Sequence, residues 1–181
     1  VPCYVMGNGS NLLVRDGGFR GVVVKLCDGF KAITVEGERL LAQSGALLSA
    51  LARVAMQKGL AGLEFASGIP GSLGGAVAMN AGAYGGTMDQ VVERVQVLAP
   101  DGTMPWLGRE EMGFSYRHSL CAQRGWVVLQ ALLCLERGDS RAIAAKMDDI
   151  GRQRRERQPL TYPSAGSVFK RPPGDYAGRL I

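Results

Sequence analysis

"ASGIPGSLGGAVAMNAGAYGG", residues 66–86, is dense in glycine for a soluble protein. With Gly62 just ahead of it, the stretch up to Gly86 contains Gly68, Gly71, Gly74, Gly75, Gly82 and Gly85 as well. The whole chain has 26 glycines in 181 residues, about twice the ordinary share of roughly 7%. They follow no fixed period, so a repeat array is excluded. Glycine loses more freedom on folding than any other residue. Clusters therefore point to backbone that turns sharply or approaches a ligand closely. Ser67, Gly68, Ile69, Pro70, Gly71 and Ser72 precede a short helical pattern, with Pro70 expected in its first turn. A helix start with free N–H groups favours an anion. A tightly packed small-residue helix is the competing reading.

A second loop lies upstream. "GNGSNLL", Gly7 to Leu13, follows a strand pattern. Gly7 and Gly9 let successive N–H groups point inward as an anion-binding nest, and Asn8, Ser10 and Asn11 add short polar side chains. The dinucleotide pattern Gly-x-Gly-x-x-Gly fails, because Leu12 stands where the third glycine belongs. No Gly-Lys-Ser/Thr occurs either, which disfavours a P-loop. Either loop alone could be an ordinary glycine turn. Two of them in one chain suit a pyrophosphate gripped from both sides.

Between and beyond these loops, strand and helix periods mix without regular alternation, so the fold class is α+β. "PCYVM" and "GVVVKL" (21–26) read as buried strands. Residues 31–36 and 39–44 form a hairpin about Gly37. Leu47, Leu48, Leu51, Val54 and Ala55 share a helical face that ends at Gly59. Residues 91–107 read as strand, turn and strand, and 126–136 as a long strand. Ser140 is expected to cap a helix carrying Ile143, Met147 and Ile150. The chain opens inside a strand pattern and stops at a helix start, so segments of a longer protein are expected at both ends. Pro159 and Pro163 mark the clearest boundary. The expected division is 1–30, 31–158 and 159–181.

The chain is 46% hydrophobic and 20% charged, ordinary for a globular protein. No apolar run reaches the roughly 18 residues of a membrane span. The net charge is +5 and the pI about 9.2. Much of that charge lies in "GRQRRERQ", 151–158, which reads as a solvated helix end. It lacks the interleaved aromatics of a nucleic-acid surface. Cys3, Cys27, Cys121 and Cys134 form no metal-binding spacing and are expected as buried, reduced thiols. "PSAGSVF", 163–169, holds Ser167. With one histidine in the chain, His118, and no nucleophile-elbow pattern, Ser167 is not a candidate nucleophile. By its local chemistry it reads as a turn residue.

Taken in order, "GNGSNLLVRDGGFRGVVVKL", "EFASGIPGSLGGAVAMNAGAYGG", "GFSYRHS" and "YPSAGSVFKRPPGDYAG" resemble the UDP-N-acetylenolpyruvoylglucosamine reductase family in its shorter variant. The resemblance runs over nearly the whole chain, and the last two motifs carry its specificity. It implies a two-subdomain FAD-binding fold of the vanillyl-alcohol-oxidase type: 1–30 from the first subdomain, 31–158 the second, and 159–181 the start of a substrate-binding domain. It implies FAD as cofactor, NADPH as hydride donor and a UDP-sugar enolpyruvate as substrate, in peptidoglycan precursor synthesis. No nucleic-acid or membrane partner is implied, and a cytoplasmic monomer is expected.

The resemblance also assigns residues. Gly7, Asn8, Gly9, Ser10, Asn11 and Leu12 would hold the pyrophosphate, with Ser67, Gly68, Ile69, Pro70, Gly71, Ser72 and Gly74 closing from the other side. Gly82 and Ala83 would lie by the flavin ring and Tyr84 by the substrate diphosphate. Arg117 would stabilise negative charge on the substrate carboxylate, as a fixed two-pronged cation can. Ser167 would deliver a proton to carbon. Arg155, Arg157 and Gln158 compete as phosphate contacts. The family's catalytic glutamate has no counterpart here. Two alternatives stand beside this: an FAD oxidoreductase of the same fold with another substrate, and a non-catalytic nucleotide binder.

Overall fold

The computed structural model describes residues 1–158, 161 and 169–181. Ser167 and the boundary at Pro159 and Pro163 lie outside the described residues. Strands β1 (Cys3–Met6) and β2 (Val22–Lys25) form a separate two-stranded parallel sheet. Both were expected to be buried, and this is corrected: Val22, Val23 and Val24 are 53%, 48% and 41% exposed. Their β-branched run makes strands, but no second layer of described residues covers the outer face. A parallel pair ordinarily has both faces covered.

A hairpin follows, β3 (Ile33–Glu36) and β4 (Arg39–Gln43), with Gly37 left-handed at φ 60° in its turn. Helix α1 (Leu48–Gln57) buries Leu48, Leu51, Ala52 and Ala55 and stops at Gly59, φ 63°. Leu47 precedes the helix and is 45% exposed. After β5 (Leu60–Ala61) and a 3-10 turn (Glu64–Ala66) comes α2 (Leu73–Ala78). Pro70 lies before that helix, not within it. Strands β6 (Gly82–Ala83) and β7 (Gly86–Thr87), helix α3 (Met88–Val91) and strands β8 (Val92–Leu98) and β9 (Trp106–Gly108) continue the chain. A short helix α4 (Cys121–Arg124) leads into β10 (Val127–Cys134) and β11 (Glu136–Arg137).

Strands β3, β4, β10, β8 and β9 make one antiparallel sheet in that order. Leu40, Ala42, Val95, Val97, Ala131 and Leu133 meet Leu48, Leu51, Leu73 and Val77 of α1 and α2 in the core. A leucine buried this completely contributes about 2 kcal/mol of transfer free energy. Helix α5 (Ser140–Arg157) lays Ile143 and Ile150 against this body, with Met147 partly buried. Its cap is Asp139, not Ser140: the Asp139 carboxylate accepts from the amides of Arg141 and Ala142. Helix α6 (Ala177–Leu180) ends the chain. Among the described residues no helix is long and apolar enough to cross a membrane.

The thiols depart from expectation. Cys121 is buried, but Cys3, Cys27 and Cys134 are exposed. Cys134 ends β10, where strand alternation turns it away from the buried Leu133. Cys3 sits on the open β1–β2 sheet.

Candidate functional site

The two glycine loops meet. Asn8 Nδ2 donates to the Pro70 carbonyl at 2.7 Å, bridging positions 62 residues apart in sequence. A Cβ added at Gly7 would overlap the Ser72 hydroxyl, and one at Gly71 would stand 3.7 Å from Ser10 Oγ. Gly9 takes φ +73° and the Leu12 amide donates back to its carbonyl at 3.2 Å, closing a tight turn.

Ser72 precedes α2 with its side chain 2% exposed. The expectation of free N–H groups at that helix start is corrected in part. The Leu73 amide donates to Ala46 O and the Gly74 amide to Ser44 O, both at 2.8 Å. Those amides are consumed in pinning α2 to the chain after β4. What remains open is hydroxyl and glycine backbone. Ser44 and Ser72 carry buried hydroxyls with no hydrogen-bond partner among the described residues. Both line a cavity of about 130 Å³ with Met6, Gly7, Gly74 and Trp126. Orphaned buried hydroxyls are uncommon and call for an explanation. Tight backbone at Gly7 and Gly74 together with unpartnered hydroxyls fits a dinucleotide running between the two loops.

Other members of the second loop are committed elsewhere. Ser67 Oγ donates to Glu64 O at 2.8 Å, and Ile69 packs against the core. Gly68 has a structural reason: a Cβ there would stand 2.5 Å from Arg154 Cδ. Arg154, on the last turns of α5, thus lies across this loop, and it is not among the basic residues singled out from sequence. No motif marks it; only helix phase puts it there.

A second cluster forms at the other end of α2, about 9 Å away at 1.5 Å per residue. Strands β6 and β7 pair Gly82 with Thr87 and Ala83 with Gly86 around Tyr84–Gly85. Both turn residues are left-handed, φ 50° and 83°, as a tight two-residue hairpin requires. Opposite it, Ser115 and His118 exchange two backbone hydrogen bonds of 3.1 Å around Tyr116–Arg117. Arg117 sits at φ 55° and donates from Nη2 to the Gly82 carbonyl at 2.7 Å. Its guanidinium also stands 5.1 Å from the Tyr116 ring centroid.

This arginine turn is clamped onto α2. Buried Asn80 donates to Ser115 O at 3.0 Å and accepts from the Asp89 amide at 3.0 Å. Buried Ser119 donates to Ala78 O at 2.7 Å. The non-glycine residues with left-handed backbone among the described residues are Asn80, Tyr84 and Arg117, and all three gather here. Each such conformation costs on the order of 1–2 kcal/mol. The structure brings Arg117 against Gly82, in the hairpin that also carries Ala83 and Tyr84. Asn80, Ser115 and Ser119 were not singled out.

The chain belongs to the FAD binding domain family: the family model of that description matches residues 1–108. Its architecture is the α+β FAD-binding fold of the vanillyl-alcohol-oxidase type. Among curated proteins it is 53% identical over 181 residues to the UDP-N-acetylenolpyruvoylglucosamine reductase of Caldanaerobacter subterraneus subsp. tengcongensis, with 100% of this chain and 60% of that protein covered. The crystal structure of UDP-N-acetylenolpyruvylglucosamine reductase from Thermus caldophilus superposes with TM-score 0.88 at 40% identity, covering 99% of this chain and 65% of that one. A more distant likeness, to an alkyldihydroxyacetonephosphate synthase, has TM-score 0.51 at 16% identity over 75% of this chain and 27% of that one, and speaks to fold alone. The chain thus spans about 60% of the length of the curated relatives it matches.

Proposed function

We propose that the protein containing this chain is an FAD-dependent, NADPH-linked reductase that converts UDP-N-acetylglucosamine enolpyruvate to UDP-N-acetylmuramate. The observation that carries this reading is the placement of two sites on one strut: the hydroxyl-and-glycine cradle at the start of α2 and the strained Arg117 turn at its end. Residues 1–30 are read as part of a first FAD-binding subdomain, 31–158 as the second and 159–181 as the start of a substrate-binding domain. The separate β1–β2 sheet supports the first of those boundaries.

FAD, when bound, supplies hydride transfer from NADPH to C3 of the enolpyruvyl group. The chain's own residues supply the rest. Gly7–Leu12 would hold the dinucleotide from one side, with Ser72 and the glycine backbone at Gly71 and Gly74 closing from the other and Ser67–Pro70 shaping that loop, and Gly82 and Ala83 would flank its reactive end. Tyr84, at the tip of the hairpin whose Gly82 accepts from Arg117, is read as a contact to the substrate diphosphate. Hydride addition to an unsaturated carboxylate builds negative charge on C2 and the carboxylate. Arg117 stays charged at every working pH and can grip a carboxylate through two N–H groups. Its anchoring bond to Gly82 O holds it in place before charge develops, which is where such stabilisation is worth most. Ser167 is read as the proton donor to C2. A hydroxyl is a weak acid, but a carbanion-like carbon is a strong base, so position matters more than acidity. The Arg171 amide donates to Tyr116 Oη at 3.3 Å, so the described chain from 169 onward reaches the residue next to Arg117. With this substrate and NADPH as reductant, the proposed reaction is a cytoplasmic one.

The test is anaerobic stopped-flow of the full-length protein. NADPH should bleach the flavin, and the enolpyruvyl substrate should restore its absorbance. Ser167→Ala should leave the first step within a few-fold of the parent and slow the second by at least 100-fold, the usual scale of a lost proton donor. Equal slowing of both steps would make Ser167 a structural residue. Normal reduction by NADPH with no reoxidation by this substrate would favour an oxidoreductase of the same fold with another substrate.

A further inference from the structure

We propose that Ser44 is a second hydroxyl contact for the FAD pyrophosphate, acting with Ser72 across the cavity beneath the Gly7 loop. The inference rests on the FAD-binding reading and extends it to a residue outside both glycine motifs. Ser44 follows the last residue of β4 and lies 28 positions before Ser72 in sequence.

Its main chain is fixed on both sides. The Ser44 amide donates to Leu129 O at 2.9 Å, and its carbonyl accepts from the Gly74 amide at 2.8 Å. Leu129 lies in the register shift of β10 between Val128 and Gln130. Such bulges re-aim nearby side chains and are frequent beside active sites. Ser44 Cβ faces α2 so closely that a Cβ at Gly74 would stand 2.7 Å from it. The side chain is 1% exposed, its hydroxyl has no partner among the described residues, and it lines the same cavity as the Ser72 hydroxyl.

A buried hydroxyl without a partner destabilises the protein that carries it. Two such groups on one cavity, opposite a glycine turn, are arranged for a ligand oxygen that accepts from both. None of the described residues that line the cavity is ionisable, and its remaining walls include Val5, Leu26 and Trp126. No carboxylate stands in that lining to repel a phosphate. Hydroxyl donors in an apolar wall give an anion stronger bonds than they would in water.

The experiment uses apo full-length protein, prepared by removing flavin, and titrates FAD by quenching of its fluorescence. Ser44→Ala and Ser44→Val are compared with the parent, and the melting temperature of each apo protein is recorded. Ser44→Ala should weaken FAD binding by about 10-fold, roughly 1.4 kcal/mol. It should leave the apo melting temperature unchanged or raise it by about 2 °C, because it deletes an unpartnered hydroxyl. Ser44→Val, which fills part of the cavity, should weaken FAD more than Ser44→Ala does. FAD affinity within two-fold of the parent in Ser44→Ala would overturn the proposal and leave the hydroxyl to bound water. A loss of FAD matched by a fall in apo melting temperature would overturn it too, making Ser44 a packing residue. A parent protein that fails to bind FAD would reject the flavoprotein reading itself.

Discussion

Asn80 shows how one side chain can hold another in place. It is 3% exposed, has φ 41°, and joins α2, the Asp89 amide and the Arg117 turn through two hydrogen bonds. Asparagine is the residue besides glycine that best tolerates that backbone. Replacing it by alanine takes the partner from the part-buried bonds to the Ser115 carbonyl and the Asp89 amide and keeps the strain. Asn80→Ala should cost about 2–3 kcal/mol, a fall of roughly 5–10 °C in melting temperature, measured by calorimetry. Asn80→Gly relieves the backbone but not the lost bonds, so it should recover only part of the loss. Full recovery would show that strain, not hydrogen bonding, dominates at this position. Arg117 was legible from its motif, but Asn80 was not. Its partners lie 35 and 9 positions away, and no local pattern reports a contact of that kind.

At the scale of elements, α2 is the strut on which both halves of the site are mounted. Its glycines were legible as a cluster, because a backbone that must pass close to another chain segment tolerates no side chain. Where the helix begins was not legible. Pro70 suggested an earlier start, but the Gly71 carbonyl is engaged by the Leu48 amide and Ser72 pairs with Leu47 in a bridge. This isolated bridge holds Ser72 extended and postpones the helix to Leu73. The contact between Gly7 and Ser72 gives an element-scale prediction. Gly7→Ala in the full-length protein forces the Ser72 side chain aside or the two loops apart. The ratio of flavin to protein absorbance after purification should fall at least several-fold, while the circular dichroism of the folded body stays as in the parent. Unchanged flavin content would place the cofactor away from this contact.

Across the whole molecule, thiol chemistry separates one buried cysteine from three exposed ones. Burial pushes the Cys121 thiol above its ordinary range, and the hydrogen bond from the Ser119 side offsets this only in part. A thiol reacts as its thiolate, so Cys121 should resist Ellman's reagent in the native protein at pH 8. Cys3, Cys27 and Cys134 should react within minutes, and the fourth thiol should appear on denaturation. Rapid reaction of all four would mean that the α4 region opens readily. Residue order alone carried the strand and helix periods, the α+β class, the glycine turns and the Arg117 motif, since each is a local pattern of side-chain size, polarity and backbone freedom. Tertiary structure decided which groups are left without partners. The consumed amides of Leu73 and Gly74, the orphaned hydroxyls of Ser44 and Ser72, the reach of Arg154 over Gly68 and the exposure of β2 all depend on which distant segments pack together. Burial and hydrogen-bond satisfaction are properties of that packing, and the same serine at the end of a strand is unremarkable until α2 is laid against it.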